Sequence, residues 1–359
     1  MISKHNAWCF ALLAFTTIPA TAQQRTIDLT GSPDQTIDKG FSAVSHGVQI
    51  GNGSFAFVDG MEVAIYVADF RGGQVQAVGR PGAGPNEYRR PSKAIADGKG
   101  GAIVPDAPLG RAFLLSATGE ARGSGYMRQD IGGISPTAIH GIDPRGGVIL
   151  FGRSPQQGAD SLPIQRWDPG THQLTTLAWW PMIRTTVGPS VKTRSGAVGR
   201  ELSTPAIWPE RTAWLVLSDG TIAIVRPDPY RVDFITEAGR AVRGPTTEYV
   251  PVKVTPGKRK QIRDQRGPMS DDQFPAMLPP FEGFDDVIGS EDDEVWVGRM
   301  RDAADSVPVY DIFDRAGAVV AHARLRPHTK VVGFGERWIY VARQSLDDDL
   351  WHLERYARR

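Results

Sequence analysis

The segment His46-Gly47-Val48-Gln49-Ile50-Gly51-Asn52-Gly53 returns, almost residue for residue in kind, as His140-Gly141-Ile142-Asp143-Pro144-Arg145-Gly146-Gly147. Looser copies run from Ala94 to Gly101, Ala213 to Gly220 and Val287 to Glu294. Each copy is an apolar strand, a polar turn usually containing Gly, and a second apolar or aromatic strand. One such hairpin cannot bury both of its faces. A pattern that recurs roughly every 40 to 70 residues is the mark of radial or stacked all-β architecture, in which neighbours supply the missing cover.

Six units follow along the chain, at about 41–91, 92–130, 135–182, 204–255, 282–326 and 329–359, with an irregular Gly/Ser/Thr-rich link around 183–203. The second strand is the clearest in each: Ser54 to Asp59, Ala102 to Asp106, Val148 to Arg153, Thr221 to Arg226, Val295 to Arg299 and Trp338 to Arg343. A third strand follows, as in Arg111 to Leu115, Tyr230 to Ile235 and Val309 to Phe313, and a Gly turn (Gly119, Gly239, Gly317) leads to a fourth. The last unit runs out after its third strand, Trp351 to Tyr356, while Arg25-Thr26-Ile27-Asp28-Leu29 is a spare strand at the other end. Joining the two closes a ring and removes exposed strand edges. The pattern predicts an all-β fold, a six-bladed β-propeller closed by an N-terminal strand that completes the last blade. Residues 256–280 depart from the strand pattern and read as an insertion between blades four and five, with a short helix from Lys258 to Asp264 and a proline-rich return.

The first 22 residues read as an export signal. Lys4 and His5 precede an apolar run from Trp8 to Ile18, Pro19 breaks it, and Ala20-Thr21-Ala22 offers small residues for cleavage. The propeller then occupies 23–359, in the periplasm or outside the cell. The only cysteine, Cys9, falls inside the signal, so disulfides and thiol chemistry are excluded from the mature chain. Charge is balanced, with 41 basic and 40 acidic residues, which argues against a nucleic-acid partner. No second apolar stretch reaches membrane-spanning length. Lys258-Arg259-Lys260 reads as a solvated helix face, and 40 Gly with 27 Pro suit short strands and tight turns.

The segment Val78-Gly79-Arg80-Pro81-Gly82-Ala83-Gly84-Pro85-Asn86-Glu87-Tyr88 resembles the Gly-x-Gly-Pro-x-Glu-aromatic motif between blades of secreted bacterial six-bladed propellers of the NHL-repeat and TolB-like kind. Ala102-Ile103-Val104-Pro105-Asp106, with Arg111-Ala112-Phe113 and Gly119, is similar to one NHL blade. The resemblance covers the mature chain and implies blade geometry. It names no chemistry, since members include enzymes and binding scaffolds alike.

In such a ring the start of the first strand and the end of the second share one mouth. Read around the ring, the second strands end in Asp59, Asp106, Arg153, Arg226, Arg299 and Arg343, and His46 and His140 start first strands, with Ala94 and Ala213 at the equivalent positions elsewhere. Four converging guanidiniums suit an anionic ligand or an acidic partner loop. The structural alternative pairs each Arg with a carboxylate of a neighbouring blade: Arg153 with Asp106, Arg343 with Asp59, and Glu87 with Arg89 or Arg90. Two imidazoles with Asp59 or Asp106 would suit a divalent ion, although they sit in alternate blades; metal and cofactor content stay open. Asp285-Asp286, Glu291 to Glu294 and Asp347 to Asp349 are carboxylate-rich but lack the spacing of a calcium loop. No Gly-x-Ser-x-Gly elbow occurs, and Trp179, Trp180 and Trp208 suit either core or a stacking surface. The leading expectation is therefore an exported binding or interaction module engaging an anionic small molecule or an envelope protein at its Arg-rich mouth. A metal- or cofactor-dependent enzyme and a structural accessory subunit are the alternatives.

Overall fold

The computed structural model describes residues 25–126, 131, 133–152, 161–181, 187–192, 198–202, 212–267 and 269–358. Six antiparallel sheets stand around a central channel as a β-propeller. Their innermost strands are Val48–Gln49, Ile95–Ala96, Ile139–Ile142, Ala213–Val216, Val287–Gly289 and Thr329–Gly335, one from each blade in chain order. Each sheet is covered on both faces by its neighbours, so the second and third strands can be apolar at consecutive positions instead of alternating. Phe55–Asp59 and Ala102–Asp106 are buried at all five positions. The core accordingly lies between blades. Phe55 of blade one stacks on Tyr340 of blade six at 4.2 Å, and Trp296 of blade five meets Phe334 of blade six edge-on at 5.0 Å.

The chain's first segment does close the ring, but through a different strand. Arg25–Leu29 runs parallel to Val319–Leu325 and adds a fifth strand to blade five. Blade six is completed by the two-residue strand Gln35–Thr36, antiparallel to Trp351–Ala357. Its neighbours tighten the clasp: Asp34 N–H bonds Arg355 O at 2.9 Å, Ile37 N–H bonds Leu353 O at 2.8 Å, and Phe41 and Trp351 exchange backbone bonds. Ile37 and Phe41 are buried in the interface of blades one and six, which fixes that segment more firmly than its two ladder positions would.

Two departures from the strand repeat stand out. The link between blades three and four carries an antiparallel hairpin, Val187–Lys192 with Val198–Leu202. Between blades four and five lies a helix, Pro256–Arg266, started by Thr255, whose hydroxyl accepts from Lys258 N–H, and by Pro256 in the first turn. Gly267 ends it with φ +91°, a conformation that disfavours other residues. This helix carries its own small core of Val254, Ile262, Phe274 and Leu278. Among the described residues no helix is long and apolar enough to cross a membrane. The expected export signal, residues 1–22, lies outside the described residues.

Candidate functional site

The carboxylates expected at the mouth are occupied by backbone. Asp59 is fully buried and accepts N–H bonds from Ala43, Met61 and Glu62, each at 3.0 Å. Asp106, equally buried, accepts from Arg89 and Arg90 N–H at 2.8 and 3.1 Å. Each thus ties the loop that enters its blade to the end of the second strand. The arginines pair inside their own blades, with a carboxylate on the adjacent third strand: Arg226 with Asp233 at 2.5 Å, Arg299 with Asp311 at 2.5 Å and Arg343 with Glu354 at 2.8 Å. The cross-blade pair of Arg343 with Asp59 does not form, because strand pairing puts Glu354 two ladder positions from Arg343, on the same face, while backbone claims Asp59. Arg153, and with it a pair to Asp106, lies outside the described residues. Of the carboxylates that hold these arginines, Asp311 also bridges blades, accepting from the hydroxyl of Tyr230 of blade four at 3.0 Å.

Glu87 turns back on its own loop instead of meeting Arg89 or Arg90. It pairs with Arg80 at 2.8 Å and accepts from Ala83 and Gly84 N–H at 2.9 and 2.7 Å. Gly82 and Gly84 leave room for that carboxylate, which a Cβ at either would crowd. Arg111 of the next blade donates to the carbonyls of Ala83, Gly84 and Glu87. The glycines, proline and glutamate of this motif therefore build an interblade bracket.

The central channel is a cavity of about 840 Å³, bordered by the first strands of all six blades. Its register follows from the turn bonds. Ile50 N–H bonds Ser54 O, Asp97 N–H bonds Gly101 O, Leu217 N–H bonds Thr221 O and Ser290 N–H bonds Glu294 O. Four residues before each lie His46, Lys93, Ala213 and Asp286. The blade-two equivalent of His46 is therefore Lys93, and not Ala94. In blade three a bulge between Ile139 and Gly141 brings His140 to the cavity wall. Blades five and six contribute Asp285 and Lys330. The two histidines thus share one cavity, whereas Asp59 and Asp106 are not on its wall. The sequence pattern does not single out Lys93 or Lys330, and it shows Asp285 only as half of a carboxylate pair. The tetrapeptide Ser92-Lys93-Ala94-Ile95 repeats Ser45-His46-Gly47-Val48 in kind, and both serines bond the backbone of the second strand. That match was the available signal.

Burial governs the charges here. It pushes His46 down to about 4; the field of Asp285 and a bond to its backbone oppose the shift, while Lys93 and Lys330 reinforce it. Burial, with the repulsion of Lys93, holds His140 well below the ordinary histidine range. The same cause lowers Lys93, opposed only by the field of Asp285, and lowers Lys330 against Asp285 and Asp286. Lys330 sits over the Trp351 ring at 4.8 Å, which favours its charged form. Burial pushes Asp286 up to about 7, helped by Glu282 and Asp285 and resisted by the Glu282 N–H it accepts at 2.7 Å. At neutral pH both imidazoles are uncharged, which leaves Lys93 and Lys330 as the basic side chains on the cavity wall. Among the described residues no three His, Asp or Glu side chains gather to hold a metal ion.

No protein-family profile matches this chain, and no curated protein matches it in sequence. Solved structures do match in shape. A member of the DUF4221 family from Bacteroides vulgatus is 7% identical, with 90% of this chain and 95% of that one covered at a TM-score of 0.50. Regucalcin, a calcium-binding protein from Agrobacterium tumefaciens, is 14% identical over 93% and 97% of the two chains at 0.44. A gluconolactonase from Xanthomonas campestris is 10% identical over 89% and 88% at 0.47. At these identities the likeness is one of fold: the chain is a six-bladed β-propeller.

Proposed function

We propose that this protein is an exported propeller that binds a small anionic molecule in its central channel. Export rests on residues 1–22 and on the likeness of Val78 to Tyr88 to the secreted NHL-repeat and TolB-like propellers. The observation that carries the ligand reading is the position of Lys93 and Lys330 on the wall of an 840 Å³ cavity, a volume in the range of small-molecule sites. Arg226, Arg299 and Arg343 serve the blades, since each is already paired. Binding is favoured over metal-assisted catalysis because Asp59 and Asp106, the expected partners of the histidines, are held by backbone N–H groups.

Native mass spectrometry of the chain purified gently from its host's envelope fraction tests this. The expected result is one non-covalent adduct of small-molecule mass, absent from Lys93→Gln at an unchanged melting temperature. A bare wild-type chain overturns the reading. An envelope protein partner is the second reading, supported by Val250, 90% exposed beside the insertion, and Met277, 45% exposed within it. It predicts a co-purifying protein that is lost when residues 256–280 are deleted.

A further inference from the structure

The channel wall is divided by chemistry. Lys330, His46 and Lys93 come from blades six, one and two, which are consecutive around the ring. Across from them, blades three, four and five supply His140, Trp214 and Phe284, with the Asp285 carboxylate next to Phe284 as the acidic group of that side. His140 stacks on Trp214 with ring centres 4.2 Å apart and 25° between planes. Phe151 stands edge-on to both, at 5.0 and 4.9 Å. Phe284 lies 5.9 Å from His140 and 5.3 Å from Trp180, and is 39% exposed where it borders the cavity. An uncharged imidazole makes His140 part of this flat, largely apolar wall. Trp214 is 2% exposed and backs the His140 ring from behind.

Resting on the anion-binding reading above, we propose that the channel takes a planar aromatic acid. Its ring packs on the wall of His140 and Phe284, and its carboxylate meets Lys93. A saturated acid keeps the charge but loses the flat face, and an inorganic anion has neither ring. A preference for flat over saturated rings follows from ring-on-ring contact, which adds about a factor of ten in affinity beyond buried area.

Isothermal titration of the mature chain with 2-naphthoate, its fully saturated decahydro counterpart and inorganic phosphate tests the class. Naphthoate is expected to bind about tenfold tighter than the saturated acid. Lys93→Gln weakens both acids, whereas His140→Ala removes only the difference between them. His140→Gln, which keeps a polar planar group, replaces His140→Ala if thermal melting shows that variant unfolded. Equal affinity for the two acids, or binding of phosphate alone, overturns the aromatic class and leaves the anionic site standing. No binding of any of the three to the folded chain overturns both.

Discussion

Asp311 shows how much of the structure's polar chemistry is spent on holding blades together. It is 1% exposed, pairs with Arg299 and accepts from Tyr230 across the interface of blades four and five. Asp311→Ala leaves a buried hydroxyl and a guanidinium without their acceptor, and is expected to cost about 3 kcal/mol. Arg299→Gln, at a side chain nearly half exposed, is expected to cost about 1 kcal/mol or less. Urea unfolding midpoints of the two variants check this ordering. Gly47 is constrained differently: a Cβ there would run into the Phe55 ring and the Ala56 carbonyl, so Gly47→Ala overpacks the inner strand.

His46 and Asp286 make opposite contributions to pH dependence. His46 has its folded pKa near 4, below the ordinary 6.5, so the unfolded chain takes up a proton first. The stability it confers is complete above 6.5 and is lost as pH falls toward 4. Asp286 has its folded pKa near 7, above the ordinary 3.8. Its contribution is complete below 3.8 and is lost as pH rises through 7. The two offset one another between about pH 4 and 6.5. Relative to wild type, His46→Asn is expected to lose stability progressively as pH rises through that window, and Asp286→Asn to gain it. Denaturation midpoints that run parallel for wild type and His46→Asn would contradict this account.

Among the elements, the two N-terminal strands do different work. Arg25–Leu29 covers the outer edge of blade five, where Leu29 is buried. Its deletion is expected to cost about 2 kcal/mol and to leave the ring closed. Deletion through Phe41 also removes Gln35–Thr36 and the buried Ile37 and Phe41, opening blade six. That chain is expected to aggregate on an uncovered strand edge. Thermal melting with light scattering separates the two outcomes. This division was hidden in the sequence for a physical reason. Arg25 to Leu29 has the apolar pattern of a strand, whereas Gln35 and Thr36 owe their position to Ile37 and Phe41, buried beside them.

For the molecule as a whole, blades were readable because interblade burial demands unbroken apolar runs, such as Phe55 to Val58, which few other settings require. His46 and His140 were readable as channel residues through their repeat. Lys93 and Lys330 were not, since their roles depend on register, and register is set by turn hydrogen bonds that composition does not display. The pairing of Arg226, Arg299 and Arg343 was likewise invisible, because each partner lies on the facing strand at a separation that varies with turn length.

The clasp of blade six has a consequence for the order of events as the chain is made. Gln35 pairs with Arg355, 320 residues later, so this strand waits for a partner made long after it. Until then every partial product is an open arc with raw strand edges at both ends. Contacts of this span form late and slowly, and nascent arcs are vulnerable meanwhile. A stop codon placed anywhere before Trp351 therefore yields an arc that cannot seal, a product for proteases instead of a shorter working protein.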